Sequence, residues 1–393
     1  MTVNELRTDF TALDLYSLPS PCFVVDEVAV RQNLEILHQV QAESGARILA
    51  ALKAFSMWSL GGLIAQYLSG TCSSGLHELR LASEYYGGEH HVFSAAYTER
   101  DLPEILSIAH TVVFNSGSQW QRFRALIEDA RRSRPQLRFG LRINPEHSEG
   151  TTPLYDPCAP GSRLGIPPAE FRPELLTGIS GLHFHTLCEQ DFPPLQRTLD
   201  VVEKKFGCYL QGLEWVNFGG GHHITRPDYQ RDALIETIRG FAARYGVQVY
   251  LEPGEAIAIG SGVLVAEVLD INSNGGRAQA ILNTSATCHM PDTLEMPYRA
   301  EILGAGLPEQ LPHTYRLGGL TCLAGDVLGD YSFAQPLEIG QRLVFSDMAH
   351  YTMVKTTTFN GTRLPAIVRW NSETGAIQVV REFGYEDFKN RLS

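Results

Sequence analysis

The segment RILAALKAFS, residues 47–56, is a short apolar run that leads into a lysine, Lys53. An ammonium group loses its hydration when it is buried, so a lysine is costly at such a position. Apolar surroundings favour the neutral amine, which can attack a carbonyl group. Lys53 is therefore a candidate Schiff-base nucleophile at the end of a strand. The alternative is a lysine whose stem follows the strand while its amine reaches water.

Around this segment, from residue 27 to residue 262, short apolar runs alternate with longer amphipathic stretches. This alternation predicts parallel strands joined by helices, and eight such units would close a (β/α)8 barrel. An open doubly wound sheet is the alternative, because it also places ligands beyond the carboxyl ends of its strands. The further apolar runs are HHVFSA (90–95), TVVFN (111–115), LRFGLRIN (137–144), GLHFHT (181–186), LEWVNFGGG (213–221) and VQVYLEPG (247–254).

The remainder of the chain has a different pattern of apolar and polar residues. Residues 263–393 read as short strands joined by turns, with few helix signals, which predicts an all-β domain. The early strand in SPCFVVD (20–26) fits either part, and we assign residues 1–26 to the β-rich domain. The predicted fold is thus a barrel followed by a C-terminal all-β domain.

Composition narrows the class of protein. A chain of 393 residues is too long for one compact core. The net charge of −12 at pH 7 argues against nucleic-acid binding and permits a cationic small-molecule partner. No secretory signal and no apolar run of about eighteen residues is found, so neither export nor membrane insertion is expected.

The seven cysteines are scattered and contain no CxxC pair. This pattern disfavours a zinc ribbon and a disulfide framework and favours a reducing cytoplasm. We therefore predict no structural metal site and a cytoplasmic location.

Three glycines, Gly219, Gly220 and Gly221, follow the strand-like LEWV. Consecutive glycines let the backbone approach a phosphate and direct N–H groups at it. The run is not the dinucleotide motif GxGxxG, so it does not indicate a nicotinamide cofactor. A flexible turn is the alternative.

The run LEPGEA, residues 251–256, places Glu252 at the end of another strand, with a turn directly after it. A carboxylate there could bond a ring nitrogen and keep it protonated, which makes a pyridine ring an electron sink. Glu255 is a second acid at the same end of the strand. Either residue could instead be a solvated glutamate of the turn.

In GLHFHT, His183 and His185 alternate along one strand and so face the same side. His185, nearer the strand end, is predicted to stack on a cofactor, and His183 to be a core or supporting histidine. The HxH pattern is also found at metal sites, so a barrel metal hydrolase is an alternative.

The β-rich part contributes further candidates. In TCLAGD (321–326), Cys322 could donate a proton and Asp326 could hold an amine. In DMAHYT (347–352), the hydroxyl of Tyr351 could reach a phosphate. Taken singly, each could be an ordinary core or turn residue.

The order of these pieces resembles the alanine-racemase-like pyridoxal-phosphate decarboxylases. The resemblance runs from PCFVVD to DMAHYT. LKAFS, YDPC with SRLG, HFHTLCE, EPGE, MPDTLEMPYR and TCLAGD are most similar to the members that act on carboxynorspermidine or carboxyspermidine.

The resemblance implies pyridoxal 5'-phosphate as the cofactor, bound covalently to Lys53 and stacked by His185. It implies that the three glycines and Tyr351 hold the phosphate and that Glu252 bonds the pyridine nitrogen. It further implies a homodimer with active sites at the subunit interface, where Cys322 of one subunit reaches the substrate bound in the other.

The departures from the family pattern concern the substrate. Relatives that act on short diamino acids carry arginine where this chain has Glu255. An acid at that position suits a substrate with several amines. Asp292 and Asp326 are the other predicted amine holders.

The predicted function is decarboxylation of carboxynorspermidine to norspermidine, of carboxyspermidine to spermidine, or of both. The alternatives are a diaminopimelate, ornithine or arginine decarboxylase and a non-catalytic pyridoxal-phosphate barrel protein. The sequence leaves open the choice between the two polyamines and that between Cys322 and water as proton donor.

Overall fold

The computed structural model describes residues 6–393 and divides into two compact units. One unit is Arg31–Ile257, and the other combines the segment that ends at Val30 with Ala258–Ser393. The predicted boundaries, 27 and 262, lie a few residues outside the first unit. They differ because the first residues of helix α1 (Glu27–Ser44) belong to the second unit.

The first unit is a closed barrel of eight parallel strands, which confirms the predicted fold class. Counting from β1 (Cys22–Asp26) at the start of the chain, the barrel strands are β2 (Arg47–Ala51), β3 (Gly70–Ser73), β4 (Glu89–Phe93), β5 (Thr111–Phe114), β6 (Arg138–Arg142), β7 (Gly181–His183), β8 (Trp215–Asn217) and β9 (Gln248–Leu251). The ring closes where β9 pairs with β2.

Helices connect these strands, as the alternation of short apolar runs and longer amphipathic stretches predicts. They are α2 (Gly61–Tyr67), α3 (Leu76–Tyr85), α4 (Leu102–Ile108), α5 (Gly117–Arg122), α6 (Arg124–Ser133), α7 (Phe192–Phe206), α8 (Arg231–Tyr245) and α9 (Glu255–Ala258). Short 3-10 helices cover Phe10–Ala12, Leu15–Ser17, Trp58–Leu60, Pro153–Tyr155, Pro173–Leu176, Gly207–Tyr209 and Phe359–Gly361.

The barrel interior is filled by side chains and is not a pore. A buried cluster of Leu49, Val113, Trp215 and Tyr250 lies inside it. Gly181 leaves the space for the indole of Trp215, since a Cβ atom at position 181 would lie 2.1 Å from that ring. The packed interior leaves the strand ends as the places where polar side chains can gather.

The second unit is built on an eight-stranded sheet with the order β13-β12-β11-β10-β1-β15-β16, and β14 pairs with β10. Its later strands are β10 (Gly262–Asn274), β11 (Arg277–Leu282), β12 (His313–Gly318), β13 (Val327–Phe333), β14 (Arg342–Ser346), β15 (Ala366–Trp370) and β16 (Ile377–Arg381). Three short helices, α10 (Ala286–His289), α11 (Asp292–Glu295) and α12 (Tyr385–Lys389), interrupt a part predicted to be all-β.

The alternating burial of β15, with Ala366, Val368 and Trp370 facing inward, fits a sheet with one covered face. These residues pack with Val24 of β1 and Val263 of β10 in one apolar cluster. Within residues 6–393, no helix is both long and apolar enough to cross a membrane.

Candidate active site

Lys53 lies just beyond the carboxyl end of β2, and its Nζ is 3.4 Å from Nε2 of His185. The residue is exposed in the chain by itself, which is the exposure of the alternative that the sequence left open, a lysine whose amine reaches water. The apolar run ends at Leu52, so the lysine belongs to the following turn. Its amine is directed at the histidine of another strand end, which places it at the mouth of the barrel.

The ring of His185 connects Lys53 to the glycine turn. Its Nδ1 accepts a hydrogen bond from the N–H of Gly220 at 3.1 Å. Burial at the mouth of the barrel, together with the charges of Lys53 and Arg142, holds the pKa of His185 well below its ordinary value, so the ring is neutral. Since Nδ1 is the acceptor, the proton of the neutral ring is on Nε2, the nitrogen that faces Lys53.

Glu252 follows the end of β9 and has two side-chain donors. Nδ2 of Asn217 donates to Oε1 at 2.7 Å, and Nε2 of His183 donates to Oε2 at 3.2 Å. Burial opposes ionisation of Glu252, but the groups around its carboxylate outweigh burial and lower its pKa. Burial also lowers the pKa of His183, so we assign a neutral histidine that donates an N–H to an ionised carboxylate.

The glycine turn is packed too tightly for any other residue. Gly219 and Gly221 have φ values of +73° and +86°. A Cβ atom at Gly220 would lie 2.0 Å from the carbonyl oxygen of Glu252, and one at Gly221 would lie 1.9 Å from that of Leu187. Oδ1 of Asn217 accepts from the N–H of Gly219 at 2.9 Å, so the turn is also tied to the carboxylate site.

Two N–H groups of this turn remain available for a ligand. No acceptor anywhere in residues 6–393 bonds the N–H of Gly221 or that of His222. Adjacent N–H groups without acceptors suit an anion such as a phosphate. An amine, an imidazole, an ionised carboxylate and this turn together fit pyridoxal phosphate, because they match its aldehyde, ring face, ring nitrogen and phosphate in turn.

Arg142 is a site residue that was not predicted from the sequence. It ends β6, is 4 % exposed, and donates to the carbonyl oxygen of His185 at 3.1 Å. Its guanidinium lies 4.6 Å from the ring centre of Phe93, and burial lowers its pKa to about 10. The sequence held one signal, because Arg142 lies in the predicted strand LRFGLRIN, two residues before its last residue.

Glu255, a predicted amine holder, lies beside a buried histidine. Its Oε2 is 3.1 Å from Nε2 of His223, whose side chain is 3 % exposed. The neighbouring His222 bonds the hydroxyl of Tyr229 at 2.7 Å. Among residues 6–393, no group of three or more histidine, cysteine, aspartate or glutamate side chains is arranged to hold a metal ion.

Asp326 of the second unit is buried, and its carboxylate has several donors inside that unit. Ser285 Oγ donates to it at 2.9 Å, and Thr321 donates through Oγ1 at 2.7 Å and through its backbone N–H at 3.1 Å. These bonds join the loop 319–326 to the segment before α10. The carboxylate therefore supports the loop that carries Cys322.

Cys322 itself is exposed on that loop, and its N–H donates to Oδ1 of Asn360 at 2.8 Å. Leu320 and Leu323, on either side of it, are 48 % and 46 % exposed. The loop thus presents a thiol between two uncovered apolar side chains.

Asp292 is held in an ion pair. Nζ of Lys355 lies 2.5 Å from Oδ1 of Asp292 and 2.5 Å from Oε2 of Glu295. The two acids stand at the two ends of α11, and together they already bind one ammonium group.

Tyr351 and Asp347 both have positive φ values, of 42° and 56° respectively. Left-handed backbone is unfavourable for residues other than glycine and is concentrated at functional sites. The predicted site residues therefore form two sets, one at the mouth of the barrel and one in the second unit.

Comparisons with known proteins agree with this chemistry. A family model described as pyridoxal-dependent decarboxylase, C-terminal sheet domain, matches residues 22–349. A carboxyaminopropylagmatine decarboxylase of Synechocystis sp. is 46% identical, and the match covers 96% of each chain. A carboxynorspermidine/carboxyspermidine decarboxylase of Campylobacter jejuni is 42% identical over 95% of this chain and 98% of its own.

A solved structure extends the similarity to the fold. The crystal structure of carboxynorspermidine decarboxylase from Campylobacter jejuni, complexed with norspermidine, has a TM-score of 0.87 and 41% identity. The match covers 95% of this chain and 100% of that one.

Proposed function

The chain belongs to the pyridoxal-dependent decarboxylases, and from that premise we propose that it decarboxylates carboxynorspermidine to norspermidine, carboxyspermidine to spermidine, or both. One observation carries the proposal: the amine of Lys53 lies 3.4 Å from a ring whose other nitrogen bonds the glycine turn. The curated relatives that act on these two polyamines support the choice of substrate.

The barrel residues have distinct roles in this proposal. When bound, pyridoxal phosphate supplies an electron sink for the electron pair that is left when carbon dioxide departs. Lys53 holds the cofactor covalently and yields to the amine of the substrate. His185 covers one ring face, and the ionised carboxylate of Glu252 keeps the ring nitrogen protonated.

The phosphate is assigned to the glycine turn and to Tyr351. The free N–H groups of Gly221 and His222 support the first assignment, and the strained backbone at Tyr351 supports the second. The N–H dipoles of the turn can stabilise the phosphate in a chain that has Glu255 where some relatives carry an arginine.

The distal amines of the substrate are assigned to Glu255, Asp292 and Asp326. Asp292 is already paired with Lys355, so a substrate amine there would have to share or displace that ammonium group. Glu255→Gln should raise KM for the polyamine and leave the affinity for the cofactor unchanged. If cofactor affinity falls instead, Glu255 supports the phosphate side of the site.

Cys322 is proposed to return a proton to the reacting carbon, as the partner subunit's contribution to a homodimer. Its exposure between Leu320 and Leu323 supports an interface at this loop. Cys322→Ser should lower kcat and leave the dimer intact in sedimentation. A monomeric enzyme with full activity would contradict both parts. The scattered free cysteines support a cytoplasmic location.

A second substrate is favoured by a specific observation. The carboxyaminopropylagmatine decarboxylase is 46% identical, compared with 42% for the carboxynorspermidine/carboxyspermidine enzyme. A guanidinium tail would also suit carboxylates, because it can bond both oxygens at once.

The test is a substrate panel with purified enzyme and added pyridoxal phosphate. Carbon dioxide release should be fastest with a carboxylated polyamine and slow with diaminopimelate, ornithine or arginine. Faster release from carboxyaminopropylagmatine would select the second substrate. Faster release from a short diamino acid would reject the proposal, and no release from any substrate would indicate a non-catalytic protein.

A further inference from the structure

The turn at residues 359–362 supplies a hydrogen-bond acceptor to the loop that carries Cys322. Oδ1 of Asn360 accepts at 2.8 Å from the backbone N–H of Cys322. The two residues are 38 positions apart in the chain, so the bond joins separate segments of the second unit. The contact is made by the side chain of Asn360, so a substitution at this position can remove it.

The backbone of this turn is left-handed. Asn360 has a φ of 59° and Gly361 one of 72°, and the N–H of Thr362 donates to the carbonyl oxygen of Phe359 at 3.1 Å. Two central residues with positive φ are the pattern of a type I′ turn, for which Asn-Gly is a favoured sequence. Asparagine, aspartate and glycine all adopt this conformation readily, but only the first two carry a side-chain acceptor. The turn therefore explains the backbone at position 360 and not the direction of the side chain.

Helix α10 holds the turn and the loop in a fixed relation to each other. Sγ of Cys288, within the helix, donates to the carbonyl oxygen of Phe359 in the turn at 3.6 Å. Oγ of Ser285, the N-cap residue of the helix, donates to the carboxylate of Asp326 in the loop at 2.9 Å. Both segments are thus anchored to the same helix, and the asparagine side chain adds a direct bond between them.

The loop places the thiol through its backbone. The N–H of Thr321 donates to Asp326 at 3.1 Å, so the two consecutive N–H groups of Thr321 and Cys322 both have side-chain acceptors. The thiol leaves the chain directly after the second of these groups, so a backbone held there fixes its origin. Leu320 and Leu323 are about half exposed and give the loop little packing of its own. Since a misplacement of about 1 Å can slow a reaction by about 10²-fold, these hydrogen bonds matter for a proton donor.

We propose that Asn360 is a positioning residue, whose side chain holds the backbone of Cys322 so that the thiol is delivered to the reacting carbon. The inference rests on the proposed role of Cys322 as the proton donor and is independent of which polyamine is the substrate. If the asparagine served the turn alone, glycine would replace it without loss, because glycine adopts the same backbone conformation.

The test compares Asn360→Gly, which keeps the left-handed turn and removes the acceptor, with Asn360→Asp, which keeps both. Asn390→Gly, at the exposed end of α12, is the control for the same change elsewhere in the second unit. Two properties of the purified enzyme are measured: hydrogen–deuterium exchange at the N–H of Cys322, followed by peptide mass spectrometry, and kcat separately from KM. The exchange measurement needs neither cofactor nor substrate.

Asn360→Gly should accelerate the exchange and lower kcat by about threefold to tenfold each, the effect of one neutral hydrogen bond, with KM unchanged. Asn360→Asp should bring both to within about twofold of the wild type, because a carboxylate oxygen accepts the same bond. Asn390→Gly should leave both unchanged. In a Cys322→Ala background, Asn360→Gly should lower kcat no further, since the group that it positions is then absent.

The proposal is overturned if Asn360→Gly matches Asn390→Gly in exchange and kcat, or if Asn360→Asp is as impaired as Asn360→Gly. An undiminished effect of Asn360→Gly in the Cys322→Ala background would also overturn it, because the effect would not pass through the thiol. Should Asn360→Gly fail to fold, the wild type decides: exchange at Cys322 as fast as in an unstructured peptide rejects the inference, and slower exchange supports it. Full kcat in Cys322→Ala would refute the proposed proton donor, whereas the exchange measurement would still report on the bond to Asn360.

Discussion

Two partly buried glutamates lie at opposite ends of the same barrel, and their partners differ in charge. Glu89 begins β4, where its carboxylate contacts the guanidinium groups of Arg47 and Arg138 and accepts from the hydroxyl of Tyr250 at 3.0 Å. Glu252, beyond the end of β9, accepts from the neutral side chains of Asn217 and His183.

The difference separates a structural carboxylate from one that can serve a ligand. The charge of Glu89 is neutralised by cations of the chain itself, so little is gained by bonding anything else. The charge of Glu252 is oriented by neutral donors and remains available to a protonated ring nitrogen. In a barrel of parallel strands, the chemistry belongs to the carboxyl ends and the amino ends contribute stability.

The largest effect is expected from a pair of changes at the two ends of β2. Lys53→Ala should lower kcat by at least about 10³-fold and abolish the visible absorbance of the lysine-bound cofactor, because the covalent attachment is lost. Arg47→Ala, at the amino end, should lower the free energy of unfolding by at most about 1 kcal/mol, since its ion pair is half exposed. Absorbance spectra and urea unfolding measure the two effects. Retained absorbance in Lys53→Ala would refute the role of the lysine.

The next largest effect is expected from substitutions of the two glutamates. Glu252→Gln should lower kcat by about 10²-fold and still bind the cofactor, because an amide keeps the shape but cannot hold a protonated ring nitrogen. Glu89→Gln should instead cost about 2 kcal/mol of unfolding free energy, because two guanidiniums lose their anion, and kcat of the folded enzyme should be unchanged. If Glu252→Gln and Glu89→Gln lower kcat equally, the carboxylates at the two ends of the barrel do not differ in function.

Substitutions of two glycines in the barrel unit test the role of the glycine turn, residues 219–221. Gly220→Ala should weaken cofactor binding by about 10²-fold, since the new Cβ would lie 2.0 Å from the carbonyl oxygen of Glu252 and force the turn to move. Gly240→Ala, in α8, is the matched control, because a Cβ there meets nothing within 4 Å. It should leave cofactor binding unchanged and favour the helix. Cofactor titration of each apoenzyme measures the effect, and equal affinities would contradict a tightly packed phosphate turn.

The smallest effect concerns acid stability. Burial, with a contribution from Arg138, lowers the pKa of His91 to about 3, so the folded chain does not bind the proton that the unfolded chain takes up below pH 6.5. The free energy of unfolding should therefore fall as the pH decreases from 6.5 toward 3. His91→Gln should reduce this loss by about 2 kcal/mol at pH 5, at about 1.4 kcal/mol per pH unit.

His183 is the corresponding histidine at the carboxyl end, and its pKa is also lowered by burial. His183→Gln should flatten the pH profile in the same direction, but it should also weaken the cofactor site, which His91→Gln should leave intact. Urea unfolding at several pH values, with cofactor titration at pH 7, distinguishes the two. Parallel profiles for wild type and His91→Gln would contradict the buried neutral ring.

Much of the fold was predictable because every barrel strand except one overlaps one of the apolar runs of the sequence. The exception is β3, whose sequence GTCS has no apolar run and was missed. It forms a strand because β2 and β4 supply backbone partners on both sides. Strand pairing between distant segments therefore decided what local propensity did not.

The sequence by itself determined the order of the strands and the chemical groups at their ends, because periodicity and residue type are local properties. It placed Lys53, His185, the glycine turn and Glu252 at strand ends, where closure of the barrel brings them together. Only the tertiary structure decided that Lys53 is exposed, that Arg142 joins the site, and which carboxylates already have partners in the chain. Protonation and pairing depend on neighbours from distant segments, so they follow from the folded arrangement.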